Sequence, residues 1–97
     1  MTQTERIMYM ESILDEASAA LNALSAVLDR YDALLPAVCA LEAYYTGPQW
    51  MRDYEDDRAG KLSGDLARGV LSEDAVYDLL ELRDALHARM ARIAGQR

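Results

Sequence analysis

The chain has 97 residues, of which 52% are hydrophobic and 28% charged, and its 17 acidic and 10 basic side chains give a net charge of −7. This length suits one small domain, residues 1–97, and the hydrophobic content argues against intrinsic disorder. Because a negative surface repels phosphate groups, the charge disfavours binding to nucleic acid and to anionic membranes. We expect partners of neither kind.

The cysteine content and the hydropathy pattern indicate a cytoplasmic protein. Cys39 is the single cysteine, so no intrachain disulfide forms, as is usual in a reducing compartment. No run of about 18 apolar residues is present that would span a membrane. No basic region followed by an apolar block is visible at the N-terminus, so we expect no secretory signal.

The first predicted element is a long amphipathic helix that starts at a capping box formed by Thr2 and Glu5. Residues 4–35 carry apolar side chains at the a, d and g positions of four heptads. Position a holds Ile7, Leu14, Leu21, Leu28 and Leu35; position d holds Met10, Ala17, Leu24 and Tyr31, followed by Val38; position g holds Ile13, Ala20, Val27 and Leu34. A two-stranded coiled coil usually carries charge at g, so this wide face predicts packing against two or more neighbours.

The length of this helix predicts an assembly of two chains. At 1.5 Å per residue, residues 4–35 would form a helix of about 48 Å, whereas a compact domain of this size is roughly 30 Å across. Either the monomer is elongated, or another chain covers the surplus apolar face. We expect a homodimer.

Pro36 interrupts the first helix in the sequence pattern, because it lacks an N–H group and its ring crowds the preceding turn. A kink and a break both remain open, as do two helices in line and two at an angle. The apolar pattern resumes at Val38 and ends at Thr46-Gly47-Pro48.

Shorter elements follow. Pro48 suits the first position of a helix that stops at Gly60, and residues 61–70 are expected to be irregular, with one helical turn at 65–68. Ser72 predicts the cap of a last helix that ends near Ile93. Its expected inner side comprises Val76, Leu79, Leu82 or Arg83, Leu86, Met90 and Ile93. The predicted fold is therefore all-α, an antiparallel helical bundle with one long N-terminal helix, short middle helices and a C-terminal helix.

Several motifs resemble the DUF4298 family, a small bacterial family of unknown function. They are Tyr44-Tyr45, Trp50, Asp53-Tyr54-Glu55, Ala59-Gly60-Lys61-Leu62, Asp65-Leu66 and the specific run Arg68-Gly69-Val70-Leu71-Ser72-Glu73-Asp74. Ser63 stands where that pattern has proline, which affects the local turn alone. The resemblance implies a helical fold and a bacterial cytosolic setting, and it implies no reaction.

The acidic run 53–57 has two interpretations. Carboxylates of Asp53, Asp56 and Asp57, together with Glu81 and Asp84 on the last helix, have the spacing to hold Mg²⁺, as in a small all-α metal-dependent nucleotide (pyro)phosphohydrolase. Alternatively, the run is a solvated helix face, which is the common case in small acidic helical proteins. We favour the solvated face and expect no cofactor.

A second acidic strip consists of Asp74, Asp78 and Glu81 at helical spacing. It suits a docking site for a basic protein, or its charge is neutralised within the chain. The cations available for neutralisation are Arg52, Arg58, Lys61 and Arg68. We favour internal neutralisation.

Four aromatic residues flank the turn at Thr46-Gly47-Pro48. They are Tyr44, Tyr45, Trp50 and Tyr54. They line a pocket or anchor an interface, or they plug one end of a bundle that has no phenylalanine, and we favour the plug. With Asp53, Asp56 and Asp57 they form the candidate binding surface. No group is assigned a catalytic role, and we expect a non-catalytic interaction module with an acidic surface and a basic partner; the alternative is the hydrolase.

Overall fold

The computed structural model describes residues 1–96 and is all-α. Helix α1 spans Gln3–Tyr45, α2 spans Pro48–Arg58 and α3 spans Ala75–Ala94, with a short 3-10 helix at Gly69–Leu71. No strand occurs in residues 1–96. The predicted class, with a long first helix, a shorter middle helix and a C-terminal helix, is confirmed, whereas antiparallel bundle packing stays a prediction.

The chain divides after Pro36 into two compact units. The first unit is Met1–Pro36 and the second is Ala37–Arg97. Each unit is described by itself below. The sequence-based assignment of residues 1–97 to a single helical domain stays a prediction.

Helix α1 begins at the predicted capping box. The Thr2 hydroxyl accepts the Glu5 N–H at 3.1 Å, and a Glu5 carboxylate oxygen accepts the Thr2 N–H at 3.1 Å. These hydrogen bonds, the one from the backbone of Thr2 above all, lower the pKa of Glu5 below its ordinary value. Two N–H groups that a helix start leaves without partners are thereby satisfied.

Pro36 lies inside α1, which continues to Tyr45 without a break. The fixed φ of proline is compatible with a helix, so the cost is one lost hydrogen bond and local crowding. Strong helix formers on both sides, Leu34 and Leu35 before and Ala37 after, favour continuation. The structure therefore excludes the broken alternative.

The first unit, taken by itself, consists of one helix, the part of α1 up to Pro36. No residue of α1 is buried. The exposed members of the a, d and g positions are Ile7, Met10, Ile13, Leu14, Ala17, Ala20, Leu21, Leu24, Val27, Leu28 and Leu34. We call the a, d and g side chains of residues 7–35 the α1 face.

The second unit has a small core at the centre of its shorter elements. Trp50 of α2, Leu71 of the 3-10 helix and Val76 of α3 are 8%, 7% and 3% exposed. The 3-10 helix contacts both α2 and α3. It therefore links the two helices.

The prediction of the inner side of α3 is wrong for most of its residues. Val76 is buried, and Arg83 has a side chain only 18% exposed. The other members are exposed, namely Leu79, Leu82, Leu86, Met90 and Ile93. The helical period correctly predicted that these residues lie on one side of α3. However, the contacts to α3 come from the 3-10 helix and, at Arg83, from Glu42.

Local signals at the ends of α2 and α3 are confirmed. Helix α2 starts at Pro48 and ends in a Schellman motif, in which Gly60 has φ of 73° and Lys61 N–H bonds to Asp56 O at 3.0 Å. The Ser72 hydroxyl accepts the Ala75 N–H at 3.1 Å, where α3 begins, but the N-cap residue is Asp74 and not Ser72 as predicted.

The helical turn predicted at 65–68 lies instead at Gly69–Leu71. Ser63 explains the difference, because its carbonyl accepts the Leu66 N–H and its hydroxyl accepts the Asp65 N–H, both at 3.2 Å. Arg68 then donates to the Ser63 carbonyl at 2.8 Å. These contacts hold residues 63–68 in a non-helical turn.

Candidate functional site

The aromatic side chains of the candidate surface form one stack in the second unit. The two-residue connection Thr46-Gly47 brings the last turn of α1 next to the first turns of α2. The rings of Tyr45 and Trp50 meet edge to face at 5.1 Å, and those of Trp50 and Tyr54 lie nearly parallel at 5.1 Å. These distances are typical of attractive aromatic pairs.

The polar ends of this stack hold the segment before α3. Trp50 Nε1 donates to the Val70 carbonyl at 2.8 Å, and the Tyr45 hydroxyl lies 3.4 Å from the Glu73 carbonyl. The Tyr54 hydroxyl donates to the Glu73 carboxylate at 2.5 Å. The polar groups of these aromatic residues therefore bind their own chain, whereas their role as a plug of a bundle stays a prediction.

Tyr44 and Asp53 form a further link between α1 and α2. The Tyr44 hydroxyl donates to Asp53 Oδ2 at 2.6 Å. This hydrogen bond, with smaller contributions from burial and from the carboxylate charge, raises the pKa of Tyr44 to about 12. Asp53 is thus engaged with a phenol on the same chain.

The other acids of the 53–57 run lie next to cations. Arg68 Nε donates to Asp57 Oδ1 at 2.7 Å, and Lys61 Nζ lies 3.8 Å from Asp56 Oδ1. Arg58 lies 5.7 Å from the centre of the Tyr54 ring and donates to its hydroxyl at 3.2 Å. The run is therefore partly neutralised by residues of the loop that follows it.

The carboxylates of the metal hypothesis do not converge on one point. Glu81 accepts the Tyr77 hydroxyl at 2.9 Å, and Asp84 accepts Arg83 Nε at 3.0 Å. Across residues 1–96, no three His, Cys, Asp or Glu side chains are arranged to hold a metal ion. The pairs predicted on α2 and α3 are each occupied by neighbours instead.

Sequence reasoning missed the ion pair between Glu42 and Arg83. Arg83 Nη1 and Nη2 lie 3.1 and 3.3 Å from Glu42 Oε1 and Oε2, so the pair is bidentate. The hydrogen bond to Glu42 raises the pKa of Arg83 above its ordinary value. The available signal was the position of Arg83 in an otherwise apolar row of α3.

The acidic strip of Asp74, Asp78 and Glu81 is exposed and takes none of the ion pairs found in residues 1–96. Its predicted neutralisation is wrong for Lys61 and Arg68, which pair with Asp56 and Asp57. A shallow surface groove runs beside the strip. Its lining residues are Asp78, Glu81, Leu82, Asp84 and Ala85.

Comparison with known proteins identifies one family. A family model described as "Domain of unknown function (DUF4298)" matches residues 7–93. Neither a curated protein nor a solved structure matches the chain. Among residues 1–96, none of the helices is both long enough and apolar enough to cross a membrane.

Proposed function

This chain belongs to the DUF4298 family, and we propose that it is a non-catalytic protein-interaction module. Two copies join through the α1 face, and a basic protein docks on the strip formed by Asp74, Asp78 and Glu81. The family model matches residues 7–93, so the proposal concerns the region that the family shares.

The exposed α1 face is the observation that carries this proposal. Soluble monomers rarely expose a contiguous apolar patch of more than a few hundred Å². Leu14, Leu21 and Leu24 are 59%, 64% and 49% exposed, and they lie on the same side of one helix. A surface of this kind favours a protein partner.

The charges around the α1 face argue against a membrane as its partner. Helices that lie on anionic membranes carry lysine and arginine on their polar side. Residues 1–35 contain six acidic and two basic side chains. An anionic lipid surface would therefore repel this helix.

The strip on α3 supports the second part of the proposal. Its three carboxylates lie along one exposed side of the helix and take none of the ion pairs of residues 1–96. Leu82 in the adjoining groove is 55% exposed and provides an apolar contact beside the charges. A lysine- or arginine-rich segment with an apolar side chain matches this surface.

No observation favours the hydrolase. Its five carboxylates contact Tyr44, Lys61, Arg68, Tyr77 and Arg83, and no three of them are arranged to hold a metal ion among the described residues. We also propose a cytoplasmic location, because the single cysteine forms no intrachain disulfide.

The docking strip is tested by immobilising this protein and identifying the proteins that bind to it. A strip variant carries Asp74→Asn, Asp78→Asn and Glu81→Gln. A matched control carries Asp15→Asn, Glu16→Gln and Asp29→Asn, which removes the same number of negative charges from heptad positions b and c of α1. We expect one basic protein to bind the wild type and the control, and to be released near 1 M salt, where the Debye length is about 3 Å.

Binding of that same protein is expected to be lost in the strip variant. Retention by the strip variant at the wild-type level would contradict docking on α3. So would binding that survives the high-salt wash, because an exposed charged contact is screened there.

A further inference from the structure

We propose that two copies pair through antiparallel α1 helices, with the two-fold axis passing between Asn22 and Ala23. The proposal rests on the homodimer put forward above and adds its orientation and register. Each a side chain of one copy faces a d side chain of the other. The layers pair Met10 with Leu35, Leu14 with Tyr31, Ala17 with Leu28, and Leu21 with Leu24.

The apolar g column is the feature that selects the antiparallel orientation. In a parallel pair, the g column of one helix faces the e column of the other, whereas reversing one helix brings g against g and e against e. Position e is polar throughout, with Glu11, Ser18, Ser25 and Asp32. A parallel pair would therefore place the apolar g side chains against polar ones.

The antiparallel pair buries apolar against apolar side chains at its edge. Ile13 faces Leu34 of the second copy, and Ala20 faces Val27. The two serines of position e then face each other on the solvent side. The antiparallel pair therefore buries the apolar g side chains that a parallel coiled coil would leave next to polar residues.

Two charge contacts oppose this choice and are weaker than the apolar gain. A parallel pair would bring Arg6 next to Glu11, and the antiparallel pair brings Glu11 next to Asp32. All three residues are exposed, so water and salt screen both contacts. The free energy gained by burying the apolar g side chains is not screened in this way, because it comes from the hydrophobic effect.

The register follows from matching every apolar layer between residues 10 and 35. With the axis between Asn22 and Ala23, each a and d side chain of that range has a partner. A shift of one heptad in either direction leaves two layers bare at each end. The central register therefore buries the most apolar surface.

The exposed apolar area on α1 matches the area that a stable dimer buries. Eight large apolar side chains of this range are exposed in the single chain: Met10, Ile13, Leu14, Leu21, Leu24, Val27, Leu28 and Leu34. At on the order of 100 Å² each, they provide roughly 800 Å² per copy. A standard protein interface buries about 800 Å² on each partner.

Disulfide trapping tests the orientation directly. In a Cys39→Ser background, which removes the exposed native thiol, one protein carries Ala17→Cys and another carries Leu28→Cys. We expect the mixed proteins to form a disulfide-linked dimer on mild oxidation, because residues of one layer lie within the roughly 7 Å that a disulfide allows. Neither protein alone should cross-link, since its two cysteines lie about 16 Å apart along the axis.

A control pair on the opposite side measures random collision. Ala19→Cys and Ala26→Cys are likewise placed symmetrically about the axis but occupy position f. We expect no enrichment of a mixed disulfide there. Circular dichroism of each variant verifies that its helix content matches that of the wild type.

The outcomes separate this proposal from the homodimer itself. Cross-linking of Ala17→Cys or Leu28→Cys with itself would overturn the antiparallel orientation. A dimeric mass without the mixed disulfide would overturn the register and leave the homodimer standing. A monomeric mass for the uncross-linked wild type would overturn both.

Discussion

The Tyr44 hydroxyl of α1 donates a hydrogen bond to Asp53 Oδ2 of α2 at 2.6 Å. The two residues lie on either side of the Thr46-Gly47 connection, so the bond fixes the angle at which α2 leaves α1. The neighbouring Tyr45–Trp50–Tyr54 stack lies at the same junction. Specific side-chain contacts therefore hold this junction together.

The first prediction concerns the pH dependence of this bond. The pKa of Tyr44 is raised from 10.0 to about 12, so the folded state holds the proton more tightly than the unfolded state. The contribution to stability is complete below pH 10.0 and is lost as the pH rises through about 12. Tyrosinate absorbance measured against pH should show a late-ionising component.

Tyr44→Phe should diminish that component, and Asp53→Asn should shift it toward lower pH. Tyr9→Phe is the matched control, because Tyr9 is 55% exposed on α1 and lies outside the junction between α1 and α2. An unchanged late component in Tyr44→Phe would contradict the assignment.

The second prediction concerns Trp50, which is 8% exposed and donates to the Val70 carbonyl. Trp50→Ala should lower the free energy of unfolding by about 3–5 kcal/mol. Trp50→Phe should lower it by about 1–3 kcal/mol, because the carbonyl of Val70 loses its donor. Urea unfolding followed by circular dichroism measures both.

Met51 provides the control for Trp50. It is the next residue of α2 and is 50% exposed. Met51→Ala should change the free energy of unfolding by less than about 0.5 kcal/mol. A loss as large as that of Trp50→Ala would mean that the helix, and not the aromatic core, determines the effect.

The third prediction concerns Gly60, whose φ of 73° lies in the left-handed region. Gly60→Ala should destabilise the protein by about 1–2 kcal/mol, because a Cβ is unfavourable in this conformation. Gly64→Ala is the control, since Gly64 has no positive φ and an added Cβ would meet no atom within 4 Å. Equal thermal midpoints for the two variants would contradict the Schellman end of α2.

Local signals were sufficient to predict the helix ends. Thr2 with Glu5, Pro48, Gly60 and Ser72 act through backbone groups within a few residues of themselves, so a pattern in the sequence is enough to find them. The all-α class follows from the same signals and from the helical period of the apolar residues.

Contacts between distant residues were not predictable in the same way. Glu42 and Arg83 are 41 residues apart, and many acids could have paired with Arg83 on charge alone. Lys61 and Arg68 were candidates for the α3 strip but bind the closer run on α2. Pro36 likewise permits both a break and a continuous helix, and the decision depends on the flanking residues.

The fourth prediction concerns the α1 face in the dimer. Leu21→Glu places a charge in the central layer and should weaken dimerisation at least tenfold, because a carboxylate would be buried without a partner. Leu21 is 64% exposed in the single chain, so the substitution leaves the packing within the chain unchanged. Sedimentation equilibrium measures the dissociation constant.

Ala26→Glu is its control. Ala26 is exposed at position f, on the opposite side of the same helix. The dissociation constant of this variant should stay within about twofold of the wild type, because the new charge remains in water. Equal weakening by both variants would mean that net charge, and not the α1 face, governs association.

Light scattering behind a sizing column is the most direct measurement of whether a second copy covers the α1 face. The chain has a mass of 10.8 kDa. A wild-type mass of twice that value, falling toward the single-chain mass for Leu21→Glu, is the predicted result. A wild-type mass of 10.8 kDa at every concentration tested would contradict the account.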